Sequence, residues 1–407
     1  MKLYRSIFIL IFFLFNCNAL NAQVYPNTFT LDNEVLKKNK EVLKDGDNSN
    51  IKKAYEILIA EANLALKRGP YSVTKKEGKF IPPGASPNDF YSLSTYWWPN
   101  PKKSSGLPYV NRDGKVNHER DSIPDRNELI NVANDVYILG LAFYFSENES
   151  YAKKAKELIE VFFLNEKTKM NPNFEFSQSV PGHKVTGGAT ITAYHFVNLL
   201  NGVRLMENYT ELDKDVQSLK VWFSSFLDWM LNSEKGQRQK KANNNVGTYY
   251  TVQAVSYALF VDNLDLAKSI FRSQAYRRVD EQINSEGKMP HELKRATPYS
   301  YVATNTTGFI QLSILGEKLE EDLWNYKGKN GGSVNMAYNN LFELYLDDNL
   351  IENKERVNTK NTMQVIAKYS NFGDKYSKAK VENRVNISNS LNVDKKNYQI
   401  WLTSVNP

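Results

Sequence analysis

The 407-residue sequence contains a single cysteine, Cys17. It falls inside a short N-terminal apolar run, so the chain that follows has no disulfide and no thiolate metal site. Histidine is almost as scarce: His118, His183, His195 and His291 are the only four, and none stands at metal-ligand spacing from another. No metal and no cofactor is therefore expected. Long apolar runs are missing as well. The N-terminal run is too short to span a bilayer, and nothing later reads as long and apolar enough, so no integral membrane segment is expected. No low-complexity linker divides the chain, and residues 23–407 are read as one domain.

What is present begins with a secretory signal over residues 1–22. Lys2 and Arg5 supply the basic n-region, Ile7 to Phe15 the apolar run, and Ala22 a small residue at the cleavage point. A lipid anchor on Cys17 is disfavoured, because Leu14-Phe15-Asn16 lacks the small residues that usually precede a lipidated cysteine. A periplasmic or secreted location follows. The formal net charge of +7 falls by two when Lys2 and Arg5 leave, and the remaining basic excess favours an anionic partner. An acidic polysaccharide or oligosaccharide suits an exported protein better than nucleic acid, for which no binding motif is present. A monomer is expected.

Helical periodicity runs from Leu31 to Lys67, with Ile51, Ala54, Leu58, Ala62 and Ala65 in one stripe. An irregular stretch of unusual length follows, Gly69 to Asp125, rich in proline, glycine, serine and tyrosine. Its centre carries Tyr96-Trp97-Trp98-Pro99-Asn100-Pro101, and two adjacent tryptophans cannot both be buried by one face of a helix or strand. They fit a platform for sugar rings and, equally, a clamp closing a loop over the core. Paired helical segments return after Asp125, near 129–145, 152–162, 190–206, 212–231, 251–260, 265–283, 299–319 and 334–346, with a further piece near Thr362–Tyr369. Helix pairs with little strand signal define an all-α protein whose long polar loops could gather at one end.

One of those loops organises the rest. Ala242 to Gln253 reads Ala-Asn-Asn-Asn-Val-Gly-Thr-Tyr-Tyr-Thr-Val-Gln, a poor helix interior, and the helix is expected to begin only at Thr251. Asparagine amides at a helix mouth, beside outward-pointing backbone N–H groups, suit a carboxylate.

The aromatic segment Tyr96-Trp97-Trp98-Pro99-Asn100-Pro101 resembles a signature of the alginate lyase superfamily. So do Arg112-Asp113-Gly114, Met170-Asn171-Pro172-Asn173 with Gln178 and Val180-Pro181-Gly182, then Asn244-Asn245 before Gly247-Thr248-Tyr249-Tyr250, and Glu292-Leu293 with Arg295 and Ser300-Tyr301. The likeness keeps its order from residue 82 to residue 324. It implies an (α/α) toroid, or incomplete barrel of antiparallel helix pairs, with a cleft at one end and β-elimination on uronates. One departure is clear: the histidine of the family's asparagine–histidine pair is missing, its position answered here by Val246 or, in an alternative alignment with Val246 inserted, by Asn245. By resemblance Asn245, with Asn244, and Arg295 would hold a uronate carboxylate, while Tyr301 acts as base and acid. His183, in a glycine loop, and His291, beside Glu292, are candidates for the absent histidine's role; His195, in an apolar helix, reads as a satisfied core residue. Tyr96, Trp97, Trp98, Arg112, Gln178, Tyr249, Tyr250, His291 and Glu292 complete the substrate-binding candidates.

The chemistry has its own logic. Removing the C5 proton of a uronate requires the neighbouring carboxylate to be neutralised by preorganised donors. A base must then take the proton and an acid must protonate the leaving oxygen at C4, and a tyrosine beside a cation can serve in both roles. Three outcomes stay open: a carbon–oxygen lyase cutting a uronate polymer or oligomer to a 4,5-unsaturated end, a dehydratase removing water from a terminal uronate, and an inactive binder of acidic glycans.

Overall fold

The computed structural model describes residues 26–46, 48–184, 189–346 and 392–405, without the side chains of 344–346. The expected signal over 1–22 and the helical piece near Thr362–Tyr369 lie outside the described residues. The helical stretch expected over 31–67 is two helices, α1 (Asn33–Asp45) and α2 (Ser49–Ala65). Gly46, with φ 80°, ends the first in the left-handed region, and the Asn48 side chain caps the second by accepting from the N–H groups of Asn50 and Ile51.

Four helices form an inner row: α3 (Asp125–Ser146), α5 (His195–Arg204), α8 (Asn245–Phe260) and α11 (Pro298–Lys318), each packed against the next. Outside them, α2 and α4 (Glu149–Ile159) lie against α3, α6 (Asp213–Asn232) and α9 (Leu264–Gln282) against α8, and α12 (Val334–Leu346) against α11. Short helices α7 (Glu234–Lys240) and α10 (Pro290–Leu293) lead into α8 and α11, and α13 (Tyr398–Thr403) returns to α1 and α2. This is an incomplete (α/α) toroid. The inner helices run parallel, so their N-terminal turns share one end. Within the inner row α3 and α5 touch closely at Gly140 and Gly202, where a Cβ added at Gly140 would stand 2.3 Å from the Gly202 carbonyl oxygen.

By length and composition α3 does reach what a membrane span needs, a possibility the sequence reading had excluded. Its most apolar window is 72% buried, because it is an inner helix. Buried apolar residues from Phe29 to Val405 form one contiguous cluster.

The ends of the ring are treated differently. At the C-terminal ends of the inner helices, the segment before α1 lies across α5, α8 and α11. Phe29 and Thr30 donate backbone N–H groups to Asn201 Oδ1 at 2.8 and 3.3 Å. The Phe29 ring meets Phe260 edge-on, and Lys318 Nζ donates to Asn27 Oδ1 at 3.2 Å. At the other end the long loops meet. Strand β1 (Tyr91–Leu93) pairs in parallel with β4 (Phe176–Ser179), and β2 (Trp97–Trp98) pairs antiparallel with β3 (Val110–Asn111). A buried ion pair ties this loop layer to the toroid. Lys76 Nζ donates to Asp125 Oδ2 at 2.9 Å and to the carbonyls of Val73, Pro87 and Asp89, while Tyr91 donates its N–H to Asp125 Oδ2 at 2.8 Å. Burial outweighs the partner in each group: it raises the Asp125 carboxyl to about 6 and lowers the Lys76 ammonium.

Candidate active site

Tyr301 lies in the first turn of α11, and its hydroxyl donates to the Tyr96 hydroxyl at 3.0 Å. Under its ring sits the Arg295 guanidinium, 3.8 Å from the ring centroid. Burial, and then the Tyr96 hydrogen bond, push the Tyr301 phenol above its ordinary value; the Arg295 cation opposes them. The resting side chain is therefore a neutral phenol with a second hydroxyl ready to accept or return its proton.

Arg295 is not the open fork that the sequence suggested. Its Nε and Nη2 donate to the two oxygens of Asp113 at 3.0 and 2.8 Å, and the Ala296 N–H adds a third bond to the same carboxylate. The side-chain hydrogen bond holds Asp113 below the usual carboxylate range and raises Arg295. Asp113 was missed as a site residue, although it stands in Arg112-Asp113-Gly114, a motif already noticed for its resemblance. Only Nη1 of Arg295 lacks a partner among the described residues.

The asparagine loop also departs from expectation. Helix α8 begins at Asn245, six residues before Thr251. Asn244 is its N-cap, accepting from the Val246 N–H at 3.1 Å. The anion expected at this helix mouth is already supplied by the protein. Glu292, fully buried in α10, accepts the Asn245 backbone N–H at 2.5 Å and the Asn245 side-chain amide at 3.0 and 3.1 Å. Burial raises the Glu292 carboxyl, and the Asn245 hydrogen bonds work against that rise. Glu292 thus positions Asn245 rather than lining a substrate surface. From below, buried Arg278 donates through Nη1 to the Ala242 carbonyl at 2.5 Å and through Nη2 to the Lys240 carbonyl at 2.6 Å. Sequence reasoning missed Arg278 as well; an arginine inside a helical stretch carries no local mark of such a role.

Trp97 and Trp98 are half-buried and face opposite ways from β2, as adjacent strand residues must. Trp97 meets the ring of His183 at 4.8 Å, and Arg112 reaches over Trp98 at 5.3 Å. His183 is exposed, its Nε2 lies 2.8 Å from the Tyr109 carbonyl, and it makes no hydrogen bond to Tyr301, Arg295 or Asn245. His291 is exposed beside Glu292. Gln178 is buried with φ 52°, a strained value for a residue other than glycine, and its N–H donates to Ser92 Oγ at 3.0 Å.

Two tyrosines leave the substrate-binding set. Tyr250 is fully buried, with its hydroxyl on the Met230 carbonyl at 3.0 Å. Tyr249 is nearly so and bonds the Thr304 carbonyl at 3.0 Å, tying α8 to α11. The expectation for His195 is corrected too. It is half-buried at the start of α5 and has no hydrogen-bond partner among the described residues; burial lowers its ring to about 4, with Arg126 adding to the effect. Val246, next to Asn245, is half-buried in the first turn of α8. No group of three potential metal ligands occurs among the described residues.

The loop end of this helical toroid thus carries Tyr301, Arg295 and Asn245. Comparison with known proteins identifies the family. The alginate lyase family profile matches residues 72–350, and an alginate lyase from Bacteroides ovatus is 31% identical over 92% of this chain and 99% of its own, with a TM-score of 0.83. The chain belongs to the alginate lyase family. The fold alone is shared with a substituted form of alginate lyase A1-III solved with a tetrasaccharide, 15% identical with a TM-score of 0.54 over 87% of this chain and 90% of that one. A search of curated proteins gives no match.

Proposed function

We propose that this polysaccharide lyase cuts a uronate polymer or oligomer, with alginate the leading substrate, by β-elimination across C4 and C5. The observation that carries the reading is the Tyr301–Tyr96 hydroxyl pair stacked on the Arg295 cation. Ionised Tyr301, favoured by Arg295 and stabilised by a hydrogen bond from Tyr96, takes the C5 proton. The C5 electron pair forms the C4–C5 double bond and the C4–O bond breaks. The departing oxygen then takes the proton from the Tyr301 hydroxyl, which restores the phenolate. The Asn245 amide, held by Glu292, and Nη1 of Arg295 are the groups offered to the substrate carboxylate. Trp97, Trp98, Arg112 and Gln178 support neighbouring sugar units. The basic n-region and apolar run at the N-terminus support export to the periplasm or beyond.

Incubation with a panel of uronate polymers and oligomers, followed by the ultraviolet absorbance of a 4,5-unsaturated uronate, tests the proposal. Absorbance with shortened chains supports it. Mass spectra showing loss of water without chain cleavage would replace it with the dehydratase reading. Binding without any absorbance would leave a glycan-binding protein.

A further inference from the structure

Outside the tyrosine centre, Arg126 and His195 at the loop end have no hydrogen-bond partner among the described residues. Arg126, in the first turn of α3, is half-buried, yet it makes no hydrogen bond and no ion pair among the described residues. Its nearest charges are Arg120 and Asp121, and Asp121 is already bonded to both His118 and Arg120. Burial and Arg120 both lower the Arg126 guanidinium. His195, which opens α5, feels the Arg126 charge and likewise bonds nothing.

Their place in the cleft follows from the neighbouring contacts. The ring of Tyr194 packs on Tyr249 at 4.4 Å, and the Tyr249 hydroxyl reaches the Thr304 carbonyl at 3.0 Å. Tyr249 lies one helical turn past Asn245, and Thr304 nearly one past Tyr301, so the start of α5 stands about one turn, ~5 Å, below the level of Asn245 and Tyr301. Above it, Arg120 Nη1 donates to Thr95 Oγ1 at 2.9 Å, and Thr95 is the residue before Tyr96. Arg126 and His195 therefore belong to the floor and the α3 side of the same hollow.

A half-buried cation whose one acidic neighbour, Asp121, is bonded to other groups is costly to keep, and an arriving anion would relieve that cost. We propose that Arg126 and His195 form a second subsite, in which Arg126 holds the carboxylate of a uronate unit other than the one being broken. His195, neutral, offers a ring N–H or nitrogen to that unit's hydroxyls. The inference rests on the lyase reading above and adds to it a requirement for at least two acidic units.

The test is equilibrium binding by calorimetry to the full chain carrying Tyr301→Phe, so that the probes are not cleaved, with saturated uronate di-, tri- and tetrasaccharides and their carboxyl-reduced counterparts as probes. Arg126→Gln should weaken binding of the acidic tri- and tetrasaccharide by ~10- to 100-fold, the range for one charge-assisted hydrogen bond. Binding of the carboxyl-reduced oligomers should be unchanged, and Arg126→Lys should recover part of the loss. His195→Phe should cost several-fold with either probe. A merely structural role for Arg126 would weaken both probes alike, and that result overturns the subsite. Acidic oligomers bound by the Tyr301→Phe parent, with Arg126→Gln without effect in that background, would overturn it too, leaving the lyase reading intact. A parent chain that binds no acidic oligomer removes both proposals.

Discussion

Tyr301 has a phenol that its surroundings hold protonated, and this has two consequences at the scale of the residue. Replacing Tyr301 with phenylalanine keeps the ring on Arg295 and removes the hydroxyl proposed to move the proton. Turnover should fall by ~10²–10⁴-fold, with substrate affinity changed little, as read from separate kcat and KM values. A near-normal kcat would remove Tyr301 from the mechanism. The second consequence is a pH dependence. Because burial and the Tyr96 bond raise this phenol above its ordinary value, the reactive phenolate is a minor species that grows as pH rises. On a logarithmic scale kcat/KM should climb by about one unit per pH unit through the neutral and mildly alkaline range. A profile flat from mildly acid to mildly alkaline pH would show that a different group provides the base.

At the scale of the element, α8 carries Asn245 at its first turn. Gly247 lies in its first turn, where an added Cβ would stand 2.0 Å from the Ala242 carbonyl oxygen and 2.5 Å from Arg278 Nη1. Gly247→Ala should therefore push the turn away from its arginine clamp, costing roughly 1–3 kcal/mol in denaturant unfolding and lowering activity through a displaced Asn245. Unchanged stability would mean that the clamp yields freely. The same helix shows what the sequence could and could not tell. Its apolar periodicity after Thr251 was legible, as were the helix pairs and the loop layer, because burial writes itself into spacing. Its true start was not. Asn244 as a cap and Glu292 as a buried acceptor satisfy the N-terminal N–H groups, and the second of these comes from 47 residues away. The same limit hid the Arg295–Asp113 pair, whose partners are 182 residues apart. The motifs marked which residues matter; only tertiary contacts show that Glu292 and Asp113 spend themselves on Asn245 and Arg295. Tyr250 misled because it follows the asparagine loop in sequence yet is buried with its hydroxyl on Met230.

For the whole molecule, the incomplete ring is held partly by its chain ends. Asn39, buried in α1, directs its side-chain amide at the carbonyls of Trp401, Leu402 and Val405, each 3.1 Å away. Asn39→Ala would leave those buried acceptors without their donor. A loss of ~1–3 kcal/mol is expected, with α13 becoming sensitive to limited proteolysis before the rest unfolds. If the loss is global, with no early cleavage near residue 400, α13 is not a separable clasp. The segment before α1 acts at a larger scale still. By lying across the lower ends of α5, α8 and α11 through Phe29, Thr30 and Asn27, it stoppers the ring. The molecule is a cup and not a sleeve. A sugar chain bound over the aromatic rim would not run lengthwise through the ring past this segment, and successive cuts on one polymer would then require sliding across the mouth or letting go.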